Sequence, residues 1–199
     1  MQLRSEETRQ KILSSATRLF SLNGYDATGV AEICETAGVS KGAFYHHFPS
    51  KQDVFLNILN AWLDQLSREM QKARLTTPNV PESLVAMAGL TNQVFQMSKN
   101  HYSLFFEFWI QAMRHPEIWQ AAIAPYHRFQ TWMAAVLQSG INEGSVDPTI
   151  SSDDTSRILI AMVLGLLLQA FFDPHAANWG EVTESGIRTL VTGFSQRPL

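Results

Sequence analysis

Residues 28–51 read T-G-V-A-E-I-C-E-T-A-G-V-S-K-G-A-F-Y-H-H-F-P-S-K. Val30, Ile33, Cys34 and Ala37 recur at helical spacing and define the apolar face of one short helix. Gly38 follows where a helix stop and turn require positive φ. Ser40 is placed to cap a second short helix over 41–48. Phe44, and Phe48 one turn on, face back into a core. Lys41, Gly42, Ala43, Tyr45, His46 and His47 are left to point elsewhere. Two short helices joined by a sharp turn are the plan of a helix-turn-helix, whose second helix enters the DNA major groove. The plain alternative is a helical hairpin with polar residues on its wet face.

The flanks weigh against that alternative. Over residues 9–28, Ile12, Leu13, Ala16, Leu19 and Phe20 form the apolar face of a longer helix, and Asn23-Gly24 stops it. Downstream, Ser50 with Asp53 forms a capping box that opens a long helix. This block resembles the DNA-binding domain of the TetR family of bacterial repressors. The resembling residues are Ile12-Leu13, Ala16, Leu19-Phe20, Gly24-Tyr25, Thr28, Ile33, Ala37 through Gly42, Tyr45, His47-Phe48 and Lys51. They cover about the first quarter of the chain; beyond Lys51 the resemblance is one of size and helical layout. It implies that Lys41, Gly42, Tyr45, His46, His47 and Lys51 contact an operator. The family often has hydroxyl residues just after the position of Thr28, whereas Gly29 and Val30 stand here.

Composition narrows the field. The 199 residues carry a net charge of −3, and only 17% are charged against 45% hydrophobic. Such a helical chain covers apolar surface with a partner, most simply a second copy of itself. Residues 1–51 hold six Lys and Arg against five Asp and Glu, a net of +1; the remaining nine against thirteen leave −4. DNA affinity must therefore come from a local basic face doubled by dimerisation. The single cysteine, Cys34, excludes an intrachain disulfide and reads as a buried small hydrophobe in a reducing, cytoplasmic compartment. The N-terminus lacks a secretory apolar run. The greasiest stretch, 158–172, has 15 residues including Gln169. A membrane span needs about 20 residues, so this one is expected to be buried or interfacial.

Nearly all of the chain reads as helix. Helices are expected near 5–22, 29–36 and 40–47, then from Lys51 to just before Thr76. The next, capped by Asn79 with Glu82, runs to about Lys99. A short helix follows over 102–115, then one over 117–142 with a kink or break at Pro125. The last two run from Ser151 to about Phe172, and from the Asn178–Glu181 cap to about Phe194. The expected fold is all-α, about nine helices: a helix-turn-helix domain over 1–50 and a helical effector-binding and dimerisation domain over 51–199.

Each head residue has a chemical reason to be chosen. Lys41 can reach a phosphate or a guanine edge, Gly42 lets the backbone approach closely, and Ala43 can touch a thymine methyl. Tyr45 offers a hydroxyl to phosphate and a ring to the duplex. His46 and His47 can donate to phosphate or base. Lys51, at a helix N-terminus, is expected to make a phosphate clamp. Thr28 is expected to cap the second helix, with phosphate contact as a further role. Ser40 completes the set.

In the body, ten aromatic residues fall between Phe95 and Trp132, and Trp62 sits on the long fourth helix. Most are expected to be core. The crowding, and the cavity that the family resemblance implies, point to an apolar or aromatic effector near Trp62, Phe95, Phe105, Trp109 and Trp132. Polar residues such as Gln130 and His127 interleave with the rings and read singly as solvent-facing. The stretch 158–172 is apolar almost all round and needs cover on both sides. Its outward face, with Met162, Leu166 and Ala170, is expected to join Ile187, Leu190 and Phe194 in a four-helix interface about a two-fold axis. Gly165 would let helices approach closely there.

The histidines lack metal-site spacing, and no hydrolase, phosphate-loop or zinc-protease motif occurs, so neither metal, cofactor nor catalysis is expected. The reading is a cytoplasmic homodimeric repressor. Its partners are palindromic double-stranded operator DNA and a small effector, with no membrane. The rivals are a helical ligand-binding or enzymatic protein with a vestigial reading head, and a repressor controlled by another protein.

Overall fold

The computed structural model describes residues 2–95, 110, 112, 113 and 116–195. Among them run eight helices: α1 Gln2–Asn23, α2 Val30–Ala37, α3 Lys41–His47, α4 Lys51–Thr76, α5 Val80–Phe95, α6 Pro116–Asn142, α7 Ser152–Phe172 and α8 Trp179–Phe194. The fold is all-α. One isolated antiparallel bridge joins Val146 to Ser195. The helix expected over 102–115, and the stretch from residue 96 to Lys99, lie outside the described residues.

The helix ends are set by local chemistry. Gly38 adopts φ 66° after α2, and the Gly38 and Val39 N–H groups donate back to Glu35 and Cys34 carbonyls in a Schellman closure. Ser40 caps α3 by accepting from the Ala43 N–H at 3.1 Å. Ser50 accepts from the Asp53 N–H at 3.1 Å, and its own hydroxyl donates to the Asp53 carboxylate. The Asn79, Ser151 and Asn178 side chains accept from the N–H groups of Glu82, Asp154 and Glu181. α6 continues through Pro125 rather than ending there.

The chain divides into two compact units: Met1–Asp64 with Ser98–Pro125, and Gln65–Met97 with Tyr126–Leu199. In the first, Ile12, Ala16 and Phe20 of α1 meet Ile33 and Cys34 of α2, Phe44 of α3 with Phe48 after it, and Val54, Phe55 and Leu59 of α4. Phe20, Tyr25 and Phe55 form a ring cluster with centroids 5.3–6.0 Å apart. Cys34 is part of this core, and burial pushes its thiol pKa up against the opposing pull of Lys41.

The second unit centres on Met70, Val80, Leu84, Met87, Met133, Val136, Leu137, Val146, Leu159, Ile187 and Val191. Here α5 packs closely against α8. The buried Gly180 has no side chain because Asn92 fills the space: a Cβ there would fall 1.4 Å from the Asn92 Oδ1. Glu143 ties the turn after α6 by accepting from the Val80 N–H (2.9 Å), the Ser145 hydroxyl (2.7 Å) and Arg74 (3.0 Å).

α7 is long and apolar enough to cross a membrane by length and composition. Its two sides are nonetheless distinct. Ser156, Leu159 and Ala170 are buried, while Ile158, Ala161, Leu164, Leu168 and Phe172 are exposed. This corrects the expected outward face at two of its residues. Ala170 and Ile187 are buried within the unit, and Met162, Leu190 and Phe194 pack on its core. A Cβ on Gly186 would meet the Met162 sulfur at 3.1 Å, so Met162 faces α8. Leu166 is half-buried. The reason is phase: a helix with apolar residues on every side gives no period from which to choose a face.

Candidate nucleic-acid interface

α3 is held by its buried residue Phe44, with Phe48 buried at its C-cap and Ser40 at its N-cap. What remains on its outer side is one continuous strip: Lys41, Gly42, Tyr45 and His46 are exposed, and Ala43 and His47 are half-buried at its edge. Tyr45 is 54% exposed although its ring lies edge-on to Phe44. Gly42 stands clear as well; a Cβ there would touch only the Ser40 Oγ, at 3.8 Å.

One expected contact is corrected. Thr28 does not cap α2: that position belongs to Gly29, and the Thr28 hydroxyl instead donates to the Gly24 carbonyl at 2.8 Å. Thr28 is fully buried and so presents nothing to phosphate. A hydroxyl four residues beyond a chain turn satisfies the nearer carbonyl before it can serve as a cap. Lys51, half-buried, bonds the backbone beside it in the free chain. Its Nζ donates to the carbonyls of Tyr25 (2.7 Å), Thr28 (3.0 Å) and Asp26 (3.5 Å), and lies 4.2 Å from the Tyr25 ring centre. An ammonium has three N–H donors that can converge on such carbonyls. Hydrogen bonds to a charged group contribute roughly 1.5–3 kcal/mol.

Sequence reasoning also missed Arg9. Its guanidinium donates to the Asn57 Oδ1 at 2.6 Å and lies over the Phe48 ring, 5.5 Å from its centre, tying α1 to α4. Only the i, i+3 pairing with Glu6 was readable in advance.

Of the expected effector residues, Trp62 and Trp132 have described side chains. Trp62 packs against the first core and Trp132 against the second, 5.7 Å from Phe129. The Phe95 side chain, Phe105 and Trp109 lie outside the described residues. Gln130 is buried rather than solvent-facing, and donates to Asp153 (2.6 Å) and Ser156 (3.0 Å); His127 is exposed.

A short α2, a Schellman turn, a capped α3 and an outward polar strip define a helix-turn-helix DNA-binding protein. The family comparisons carry this further. Residues 12–58 match the bacterial regulatory proteins of the tetR family, and residues 80–192 match the C-terminal domain of BetI-type transcriptional repressors. The chain belongs to the TetR family and is a TetR-type transcriptional regulator.

Among its relatives is the HTH-type transcriptional regulator UidR of Escherichia coli K12, 26% identical over 98% of this chain and 96% of that protein. Salmonella enterica GusR is 25% identical, with a TM-score of 0.74 and 94% of each chain covered. A regulator from Saccharomonospora viridis, solved in complex with choline, shares the fold. Its TM-score is 0.79 at 21% identity, with 96% of this chain and 100% of that one covered.

Proposed function

We propose that this chain is a homodimeric repressor that binds a palindromic operator and is released by a small apolar or aromatic effector. The observation that carries the reading is the exposed strip of α3, with Lys41, Gly42, Tyr45 and His46 facing away from a core that anchors Phe44. Ala43 and His47, at the edge of that strip, complete the set for DNA. Residues 1–50 serve as the reading head and 51–199 as the effector and dimer body. The protein works without catalysis, in the cytoplasm, where the chromosome is.

Dimerisation is supported by α7. Ile158, Ala161, Gly165, Leu168 and Phe172 recur at alternating spacings of three and four residues, the seam of a helix that packs on a helix. Ile158 is 56% and Leu168 39% exposed in the protomer. A Cβ on Gly165 would meet nothing within 4 Å, so a second helix can come close there. Val182 on α8 is exposed as well.

The experiment is selection of bound fragments from the source genome, followed by gel shift on the inverted repeat recovered. Specific binding that tightens as salt falls supports the reading; no selected sequence at all removes it. The effector is then sought among apolar and aromatic compounds by their effect on the protein–operator complex. Choline joins the screen because the Saccharomonospora viridis regulator holds it, and aromatic rings attract quaternary ammonium groups. A compound bound equally well with and without operator is no effector. Release by a cellular protein, with no compound bound, transfers control to that partner.

A further inference from the structure

We infer that Arg9 is a positioning residue for DNA reading: through Phe48 and Asn57 it sets the angle at which α3 is presented. The inference rests on the regulator reading above. α3 is seven residues long, so its direction is fixed by its two ends. Ser40 holds the first. The second is Phe48, the C-cap, whose ring is buried and lies under the Arg9 guanidinium, 5.5 Å from its centre. The same guanidinium donates to the Asn57 Oδ1 at 2.6 Å, 48 residues away in the chain. One side chain of α1 thus holds both the residue that closes α3 and the second turn of α4, the helix that follows.

The acceptor is itself fixed. The Asn57 Nδ2 donates to the Asp53 carbonyl at 2.8 Å, which leaves the Oδ1 for Arg9. Turning the amide over would set an NH2 group against a guanidinium that can only donate. The Asp53 N–H donates in turn to the Ser50 Oγ at 3.1 Å. The corner 48–50 between α3 and α4 is therefore tied at both of its ends. A guanidinium suits this place because its plane covers a ring while its edge donates, whereas an ammonium is a point charge without that plane. Glu6, 3.7 Å from the Arg9 Nη1 and 61% exposed, adds a surface ion pair of little weight. Small tilts of so short a helix matter. At a rise of about 1.5 Å per residue α3 spans about 10 Å, and a tilt of about 10° moves its far end by about 2 Å. The hydrogen-bond distances that read a base edge span only about 0.5 Å.

Three roles for Arg9 predict different measurements. A purely structural role lowers the active fraction on all DNA and leaves the ratio of specific to non-specific affinity unchanged. Direct contact with DNA makes the effect of Arg9 independent of Asn57. Positioning through Asn57 makes both residues lower the ratio, and makes their losses shared rather than separate.

The test uses the full chain, a duplex selected by the wild type from a random-sequence library, and the unselected pool. For Arg9→Met and for Asn57→Leu we expect the ratio of selected to unselected affinity to fall at least about tenfold, the size of one lost base contact. The double variant should fall no further than the larger single loss. Asn57→Asp keeps an acceptor for the guanidinium and should hold the ratio. Arg9→Lys keeps the charge without the plane and should lose it. An unchanged ratio in either single variant, losses that multiply in the double, a ratio held by Arg9→Lys or one lost by Asn57→Asp would each overturn the inference. Should Asn57→Leu fail to fold, Asn57→Asp is combined with Arg9→Met. Without Arg9 the new carboxylate is repelled by Asp53 four residues away and should lower the ratio further; no further fall overturns the inference. Should Arg9→Met fail to fold, Arg9→Lys takes its place throughout. If the wild type selects no sequence, it is the regulator reading that fails.

Discussion

Gly42 separates two demands that other residues of a recognition helix mix. Inside the protomer nothing requires a glycine there, since a Cβ would make only an ordinary contact with the Ser40 hydroxyl. Alanine also has the better helix propensity, by up to about 1 kcal/mol. Gly42→Ala should therefore raise or hold the melting temperature while weakening operator binding at least about tenfold. A variant that binds the selected operator like wild type would show that the backbone does not approach DNA at this point. Lys41→Ala and Tyr45→Ala should each cost about 1–3 kcal/mol of operator binding with unchanged unfolding curves, because both side chains are exposed. Glu143 tests the body in the same way, but through pH. Burial acts to raise its carboxyl pKa; the Ser145 hydroxyl, the Val80 N–H and Arg74 outweigh it and leave the value below the ordinary 4.5. Folding thus favours the carboxylate. The stability it brings is complete above the unfolded value and is lost as pH falls through the lower folded one. Glu143→Gln should destabilise by about 1 kcal/mol at neutral pH. In denaturant titrations against pH, that difference should shrink below 4.5 and approach zero once both proteins carry a neutral group.

At the scale of the helix, α5 and α8 are set together by what Gly180 lacks. Asn92 occupies the place a Cβ would take, 1.4 Å from its Oδ1 and 2.4 Å from its Cγ. Gly180→Ala should cost about 1–3 kcal/mol, the usual scale of overpacking. Adding Asn92→Ala should return part of that loss, and strict additivity in the double-mutant cycle would deny the contact. The same scale explains what was legible in the sequence. Helix ends were readable because Gly38, Ser40, Ser50, Asn79, Ser151 and Asn178 act through atoms within a few residues, and local chemistry has few solutions. The inner faces of α2 and α3 were readable because Ile33, Cys34 and Phe44 alternate with polar residues at helical spacing. The outer face of α7 was not, since leucines lie on every side and only the neighbours decide which are covered. One clue was present: Gly165 belongs with Ile158, Ala161, Leu168 and Phe172, and a phase set from that glycine gives the exposed stripe. Thr28 was misread for another reason. Its partner is a backbone carbonyl, which leaves no trace in a sequence.

For the molecule as a whole, the net charge of −3 gives DNA no general attraction, so occupancy of an operator depends on delivering two reading heads at once. A linked second head binds at a high effective concentration, and linkage raises overall affinity by roughly 10²–10⁴ without any new contact. The proposed seam on α7 is where that linkage is made. Leu164 and Leu168, 44% and 39% exposed, can take a charge in the isolated protomer at little cost to folding, whereas a charge at the buried Ala170 would disrupt the core itself. Leu168→Glu should therefore give a folded monomer by sedimentation. Its affinity for the full inverted repeat should drop by about 10²–10⁴, while its affinity for a single half-site should stay that of a wild-type head. The wild type, if dimeric through this seam, should melt at a temperature that rises with protein concentration, because association stabilises only the folded form; the variant should lose that dependence. A wild-type protein that sediments as a monomer and melts independently of concentration would end the proposal. A Leu168→Glu protein that remains a dimer would move the interface to another face.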